Sequence, residues 1–263
     1  MEEKLYWIWL SQIPYIGPVT ANRLLKQFET PETIYYAEEK ELLKTKILTV
    51  RQLNSLIEYK SLQKAEQILE ECEEKRIKIL TADNHLYSKK ARKPKDAPIL
   101  LYYRGLLKEL QDTVGIVGAR RCTAEIRRRC VEEAEQIIKK GATIVSGMAK
   151  GIDACASTVS INEGKYTIAV VANGLDICYP SEHQKLMDRI IEQGLLLSEY
   201  PPGTKPTKYQ FPLRNRIISA WSDKLIVIAP GKGSGALITA EYMRTYGREV
   251  EIIEKYPKDC GCG

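Results

Sequence analysis

The segment FPLRNRIIS, Phe211 to Ser219, carries side chains suited to binding a nucleic-acid strand. With the preceding Lys205 and Lys208 it places an aromatic ring, an asparagine and four basic side chains within about a dozen residues that contain no Asp or Glu. A ring face can stack on a base of any identity, worth about 1–3 kcal/mol per base, while cationic groups neutralise the flanking phosphates. A solvated basic turn that leads into a helix is the alternative interpretation.

Three glycine-rich turns in the same half of the chain suit phosphate groups. They read GARR at Gly118–Arg121, SGMAKGID at Ser146–Asp153 and APGKGSGALITA at Ala229–Ala240. Glycine lets the backbone approach a ligand closely, and a following helix presents N–H groups and a positive dipole end to an anion. The turns therefore predict an anion-binding rim. Their spacing matches neither GxGxxG nor GxxxxGKS/T, which disfavours an ordinary NAD site or a P-loop NTPase.

The second half of the chain alternates short apolar runs with amphipathic patterns. Helical spacing covers Ala124 to Lys139 and Ile238 to Tyr246. The predicted strands are Val114 to Val117, Thr143 to Ser146, Thr167 to Val171, Leu195 to Ser198, Lys224 to Ile228 and Glu249 to Ile253. Near-continuous apolar strands between helices indicate an α/β fold with a doubly wound, Rossmann-like parallel sheet. Ligands of such sheets bind beyond the carboxyl ends of the strands, where the glycine turns lie.

The first part of the chain has helical periodicity, which predicts a small all-helical domain over residues 1–75. Within it, IPYIGPVTANRLL, Ile13 to Leu25, resembles the turn of a helix-hairpin-helix module, whose amides can meet a phosphate. The alternative is that Gly17 and Pro18 simply turn the chain between two helices. Residues 76–110 are predicted to be a linker that extends the sheet, with strands at Ile77 to Leu80 and Ile99 to Tyr103, and residues 111–263 the Rossmann-like domain.

Composition bounds the function class. Forty Lys and Arg against 34 Asp and Glu give a net charge of +6, a mild excess that suits a polyanion. Residues 1–10 lack the pattern of a signal peptide and no later run reaches the length of a membrane span, so we expect a soluble cytoplasmic protein. The seven cysteines lack CxxC spacing and are expected to be reduced. A metal site at Cys260 and Cys262 is disfavoured, because His85 and His183 have no ligand-spaced neighbours.

Several strings of this chain, in order, resemble the DNA-processing protein A family, also called Smf. They are GIVGAR from Gly115, SGMAKGID from Ser146, IAVVANGLDICYP from Ile168, LLSEYPPG from Leu196, FPLRNRIIS from Phe211 and SGALITA from Ser234. The resemblance covers about 140 residues. The helical N-terminal region is similar, by position and pattern, to the sterile-alpha-motif-like (SAM-like) domain that many members carry.

The resemblance implies a binding protein without catalytic residues, cofactor or metal. Family members bind incoming single-stranded DNA during natural transformation, protect it and load the RecA recombinase, and a homodimer is expected. The family's strand-binding groove falls here on Arg120 or Arg121 and on Lys208 and Phe211. The full set of expected DNA-binding residues is Gly118, Ala119, Arg120, Arg121, Ser146, Gly147, Lys208, Phe211, Arg214, Asn215, Arg216, Gly233, Ser234, Gly235 and Thr239. For Asn215 and Arg216, internal bridging of the sheet edge is the alternative.

An enzyme on the same fold is the main rival. Phosphoribohydrolases of the cytokinin-activating type carry PGGxGTxxE, with a carboxylate eight residues after the proline. The turn that Pro230 opens here has an aliphatic residue at position 238, and the next acid is Glu241, eleven residues after the proline, which displaces the acid from its expected position. Glu199 is a further candidate base without a partner identifiable from sequence. A module that senses a free nucleotide is the third interpretation. The chain also departs from the family at Ala156-Ser157, where members commonly have alanine-histidine.

Overall fold

The computed structural model describes residues 2–254. It divides into two compact units, one ending at Tyr102 and the other beginning at Tyr103, which we call the helical unit and the sheet unit. The predicted linker, residues 76–110, is thus divided between the two. Cys260 and Cys262 lie outside the described residues. None of the described helices has the length and apolar character needed to cross a membrane.

The helical unit contains six helices followed by two strands and a one-turn helix. The helices are α1 (Glu2–Gln12), α2 (Pro18–Phe28), α3 (Pro31–Tyr36), α4 (Glu39–Lys44), α5 (Val50–Glu58) and α6 (Gln63–Glu74). They are followed by β1 (Lys78–Thr81), α7 (Lys89–Arg92) and β2 (Leu100–Gly105), whose last residues enter the sheet unit. The predicted linker therefore contains a helical turn, α7, between its two strands.

The turn between α1 and α2 is held by contacts within the helical unit. Pro18 occupies the first turn of α2, where its missing N–H costs nothing. The Gln52 side chain donates to Tyr15 O at 3.0 Å, and Ser55 Oγ donates to Pro14 O at 2.8 Å. These bonds anchor the turn to α5, which supports its interpretation as a structural connection.

Between residues 106 and 254 the sheet unit contains six parallel strands, whose positions follow the sequence prediction closely. They are β3 (Thr113–Gly118), β4 (Thr143–Ser146), β5 (Thr167–Val170), β6 (Leu195–Ser198), β7 (Lys224–Ile228) and β8 (Glu249–Ile253). Their order is β6-β5-β4-β3-β7-β8, and each adjacent pair is parallel. The chain builds outward from β3 to β6 and then returns to place β7 on the other side of β3. The doubly wound fold is confirmed, and a crevice is expected beyond the carboxyl end of β3.

Within the described part of the sheet unit, five α-helices cover the two faces of this sheet, because the side chains of the central strands are apolar on both sides. They are α8 (Ala124–Lys139), α9 (Ile152–Asn162), α10 (Gln184–Gln193), α11 (Gln210–Ala220) and α12 (Gly235–Thr245). Ile144, Ile168, Leu196 and Leu225 are completely buried. The FPLRNRIIS segment lies within α11 and is buried from Arg214 onward. The alternative of a solvated basic turn is therefore wrong for most of the segment.

Gly118 closes the central strand where the sheet, α9 and the next loop meet. A Cβ at this position would lie 2.2 Å from Ile228 O and 2.9 Å from Ile152 Cγ1, so any side chain must push two elements apart. Gly231, in the loop after β7, has nothing within 4 Å of an added Cβ.

We expect Gly118→Ala to lower the free energy of unfolding by about 1–3 kcal/mol, the usual cost of overpacking a rigid site. Gly231→Ala, the matched control, should change it by less than about 0.5 kcal/mol. Urea denaturation of both variants measures the difference. Equal stability of the two alanine variants would show that the strand end tolerates a side chain.

Candidate nucleic-acid interface

A cavity of about 930 Å³ lies beyond the carboxyl ends of β3 and β7. The loop after β3, the start of α9, the first turns of α11 and the loop into α12 form its walls. Of the predicted DNA-binding residues, the structure gathers Gly118, Ala119, Arg120, Arg121, Lys208, Phe211, Arg214, Asn215, Ser234, Gly235 and Thr239 around this space. Residues up to 121 positions apart thus line one cavity, as expected for the crevice of a doubly wound sheet.

The turn that carries Arg120 and Arg121 is fixed through its backbone. Ala119 N donates to Ile228 O at 3.0 Å, and Ile152 N donates to Ala119 O at 3.1 Å. Gly151 has φ +83°, and a Cβ there would lie 2.2 Å from Ala119 O, so only glycine allows α9 to begin this close to the turn. The backbone is therefore rigidly placed while both arginine side chains are exposed to solvent.

Phe211 presents an aromatic ring at the cavity, and the ring is only partly buried. Its centroid lies 5.6 Å from that of Tyr179, at an interplanar angle of 43°, and 5.9 Å from the Arg120 guanidinium carbon. Lys208, one turn earlier in the chain, is exposed at the same wall. The turn with Arg120 and Arg121 therefore lies beside Lys208 and Phe211, the residues predicted to form the strand-binding groove with it.

Arg214 lies beneath this surface and is 5% exposed. Its guanidinium donates to Gly147 O and Val170 O, at the ends of β4 and β5, and its Nε donates to Asn215 Oδ1 at 3.1 Å. Burial lowers the pKa of Arg214, and the charge of Asp153 opposes that effect. The side chain thus binds the protein's own carbonyl groups, although it also lines the cavity.

Asn215 and Arg216 bridge elements of the fold, the alternative considered for them from the sequence. Asn215 Nδ2 donates to Gly235 O at 2.9 Å, which joins α11 to the first residue of α12. Arg216 forms an ion pair with Glu199, directly after β6. Glu199 is therefore engaged by an arginine, which argues against its use as a general base.

The remaining predicted residues do not reach the large cavity. Ser146 is completely buried, and its Oγ donates to Ile116 O at 2.7 Å, inside the sheet. Gly147 lies against the Arg214 guanidinium, where a Cβ would come within 2.6 Å of it. Gly233 is exposed in the loop before α12, with φ +65°. Their roles in binding stay predictions, since none of the three lines the large cavity.

The start of α12 offers polar groups to the cavity. Gly235 is the first helical residue, and Ser234 precedes it in an extended conformation without capping the helix through its side chain. Ser234 Oγ is buried, and within residues 2–254 no hydrogen-bond partner is found for it. The first N–H groups of a helix have no partner within the helix, so this end suits an anion.

Asp153 is a site residue that the sequence reasoning missed, although it lies in the quoted SGMAKGID string. It is the one carboxylate among the described residues that line the cavity. Burial raises its pKa to about 6, against the opposing effects of the Arg214 charge and hydrogen bonds from the Ala149 and Gly118 backbone. Its neighbour Arg214 is 44 and 67 positions from the carbonyls it binds, so no local pattern in the sequence reveals this cluster.

Tyr179 is the second residue missed. It is 48% exposed and lines both the large cavity and a smaller one of about 70 Å³, which Arg120 and Phe211 also line. The signal available in the sequence was an aromatic residue directly before a proline in the quoted IAVVANGLDICYP string.

Comparison with known proteins places these features in context. The family model described as DNA recombination-mediator protein A matches residues 78–262, and a SAM-like helix-hairpin-helix tandem model matches residues 10–74. Protein Smf of Synechocystis is 36% identical over 97% of this chain and 65% of its own length. DNA processing protein DprA of Streptococcus pneumoniae is 43% identical over 60% of this chain and 56% of its own length. The chain thus spans less than two thirds of these relatives.

Two solved structures are similar. The X-ray structure of DNA processing protein A from Streptococcus pneumoniae has a TM-score of 0.83 and 29% identity, covering 98% of this chain and 88% of that one. A structure of DNA processing protein A from Helicobacter pylori, described as showing its single-stranded DNA binding mode, has a TM-score of 0.63 and 30% identity. It covers 70% of this chain and 85% of that one.

The raised pKa of Asp153 makes its effect on stability depend on pH. A carboxyl whose pKa is higher in the folded state than unfolded stabilises the fold fully below the unfolded value, near 3.8, and this stabilisation is lost as pH rises through about 6. We expect the unfolding free energy of wild type, minus that of Asp153→Asn, to fall by about 2–3 kcal/mol between pH 4 and 7. Urea titrations across that range measure it. A difference that rises with pH would show that pairing with Arg214 outweighs burial.

Proposed function

The chain belongs to the DNA recombination-mediator protein A family, and we propose that its sheet unit binds single-stranded DNA across the mouth of the large cavity. The observation that carries the proposal is the partly exposed Phe211 ring, set between Tyr179 and the Arg120 guanidinium. A strand laid over this group finds an aromatic face for a base and cations for the phosphates on either side.

Charge at the cavity favours the sugar-phosphate backbone. Arg120, Arg121 and Lys208 are exposed at its wall, and the helix α12 begins there. The one lining carboxylate among residues 2–254, Asp153, is buried beneath this surface beside Arg214. A phosphate therefore meets exposed positive charges and helix N–H groups before it meets a negative charge.

Stacking favours a single strand over a duplex. In a duplex the base faces are already stacked on each other, so the Phe211 ring has no base face to contact. The phosphate contacts remain available to both forms, which makes the stacking contribution the source of selectivity.

The same geometry supports binding without catalysis. Asp153 lies beneath the surface, Glu199 is paired with Arg216, and Ile238 occupies the position where a carboxylate would be needed. General acid–base catalysis needs a side chain within hydrogen-bond reach of the reacting proton. Asp153 is the one carboxylate among the described lining residues, so no pair of carboxylates faces the open side of the cavity.

The family resemblance extends the proposal to partners. We expect the strand-bound protein to load the RecA recombinase and to form a homodimer in the cytoplasm. Both expectations rest on the family alone. Light scattering of the purified chain, with and without oligothymidine, measures the oligomeric state, and a monomer under all conditions would contradict the dimer.

The phosphate contacts predict a specific change in salt dependence. Arg120→Ala, Arg121→Ala and Lys208→Ala should each weaken binding of oligothymidine, and each lost contact should reduce the slope of log affinity against log salt by about 0.7. Lys205→Ala is the matched control, because Lys205 is equally exposed but does not line the cavity. Fluorescence anisotropy at several salt concentrations gives the slopes. Unchanged slopes in all three variants would place the strand elsewhere.

The aromatic residues predict loss of affinity without loss of salt dependence. Phe211→Ala should cost about 1–3 kcal/mol of binding free energy and Phe211→Tyr little, because the ring releases no counterions. Tyr179→Ala should also weaken binding, since Tyr179 lies against Phe211 at the cavity. Tyr209→Ala is the control: Tyr209 is 72% exposed but lines neither cavity.

Thermal unfolding must accompany these titrations. A Phe211→Ala variant that melts much earlier than wild type and still binds normally when folded would assign the ring to the packing of α11. The same affinity loss in Tyr209→Ala as in Tyr179→Ala would show that the cavity is not the binding surface.

A further inference from the structure

Three cysteines converge where α8 packs on α9, beside the cavity but outside it. Cys130, on α8, is completely buried in the core formed with Ile152 and Ala156 of α9. Cys122, just before α8, and Cys155, in the first turn of α9, are partly buried against the same core. The proposed binding function uses none of the three thiols.

The thiols contact the backbone across the packed helices. Cys122 Sγ donates to Ala119 O at 3.3 Å, and Cys130 Sγ lies 3.7 Å from Ile152 O. Cys155 Sγ lies 4.0 Å from Arg127 O, so the sulfur of each helical cysteine contacts the carbonyl three residues before the other cysteine. A helical side chain leans over the turn that precedes it, so these two contacts place the Cys130 and Cys155 thiols next to each other across the α8–α9 contact.

The thiols of Cys155 and Cys130 differ in acidity. The hydrogen bond from Cys130 and, more weakly, the charge of Arg127 lower the pKa of Cys155 to about 7, against the opposing effect of burial. The same hydrogen bond, together with burial, raises the pKa of Cys130 well above its ordinary value. The N-terminal turn of α9 further favours a thiolate at Cys155. Cys155 is thus the nucleophile of the pair and Cys130 the thiol that holds its proton.

We propose that Cys155 and Cys130 form a reversible dithiol–disulfide site whose oxidant is a hydroperoxide. The inference stands apart from the proposed DNA binding, because it depends only on the α8–α9 contact. A metal site is not supported: among residues 2–254 no group of three His, Cys, Asp or Glu side chains is placed to hold a metal ion.

The oxidation takes two balanced steps. In the first, the Cys155 thiolate attacks one peroxide oxygen; the S–O bond forms, the O–O bond breaks, and the leaving hydroxide takes a proton to become water. Cys155 sulfur loses two electrons and becomes a sulfenic acid. In the second, Cys130 sulfur attacks Cys155 sulfur; the S–S bond forms, the S–O bond breaks, and the hydroxyl leaves as water with the Cys130 proton. A low-molecular-weight thiol reverses the bond by exchange.

Peptide mapping of the full chain tests the proposal. Trypsin cleaves after Arg121, Arg129 and Lys150, so it releases Cys122, Cys130 and Cys155 on three separate peptides. The reduced protein is treated with hydrogen peroxide, alkylated, digested and analysed by mass spectrometry. We expect a linked Cys130–Cys155 peptide that dithiothreitol removes, and a rate of Cys155 loss that rises as pH passes through about 7.

Cys178 is the internal control, since it is also partly buried but burial raises its pKa. It should stay available to the alkylating reagent after Cys155 has reacted, and Cys178→Ser should leave the bridge unchanged. In Cys130→Ala, a sulfenic acid at Cys155 should become trappable by dimedone. Cys155→Ser should abolish the bridge, and because Cys155 is less buried than Cys130, this variant changes no fully buried residue. Faster loss of Cys178, or a bridge from Cys155 to Cys122 or to another chain, would overturn the assignment.

Discussion

The Arg214 guanidinium is the interaction on which the interface depends. It is a buried charge that binds carbonyl groups at the ends of β4 and β5 and lies beside Asp153 of α9. A charge taken out of water costs several kcal/mol unless it is paired and fully hydrogen-bonded. The carbonyls must therefore stay where they are for Arg214 to stay buried. That requirement holds α11, the ends of β4 and β5, and α9 in fixed positions beneath the cavity.

The helical spacing of α11 connects the buried Arg214 to the exposed surface of the cavity. Phe211, Arg214 and Asn215 are three and four residues apart, so they share one face of the helix, and that face lines the cavity. Arg214 and Asn215 use their polar groups inside the protein, which fixes the helix and with it the Phe211 ring. The exposed Arg120 and Lys208 are the cations that we propose to contact the phosphates. Buried and exposed cations that look alike in the sequence thus have different surroundings: the buried ones organise the cavity wall, and the exposed ones are available to a ligand.

The sequence predicts the sheet unit well, because its strands are short aliphatic runs with clear breaks. The predicted bounds of β4, β6, β7, β8 and α8 match the structure. The burial of Arg214 and Arg216 was not predictable in the same way. Their partners are Gly147, Val170 and Glu199, between 17 and 67 positions away, and a basic run with no acid nearby looks like an exposed surface. Tyr179 and Asp153 were missed for the same reason, since only the fold brings them to the cavity.

One titration tests most directly whether the mouth of the cavity binds an unpaired strand. Fluorescent oligothymidine, duplex DNA of equal length and labelled AMP are titrated against the purified chain at matched salt, and the AMP samples are assayed for released ribose phosphate. We predict tight binding of oligothymidine, weaker binding of duplex and no ribose phosphate. Equal affinity for single strand and duplex, or binding of AMP alone with release of ribose phosphate, would contradict it.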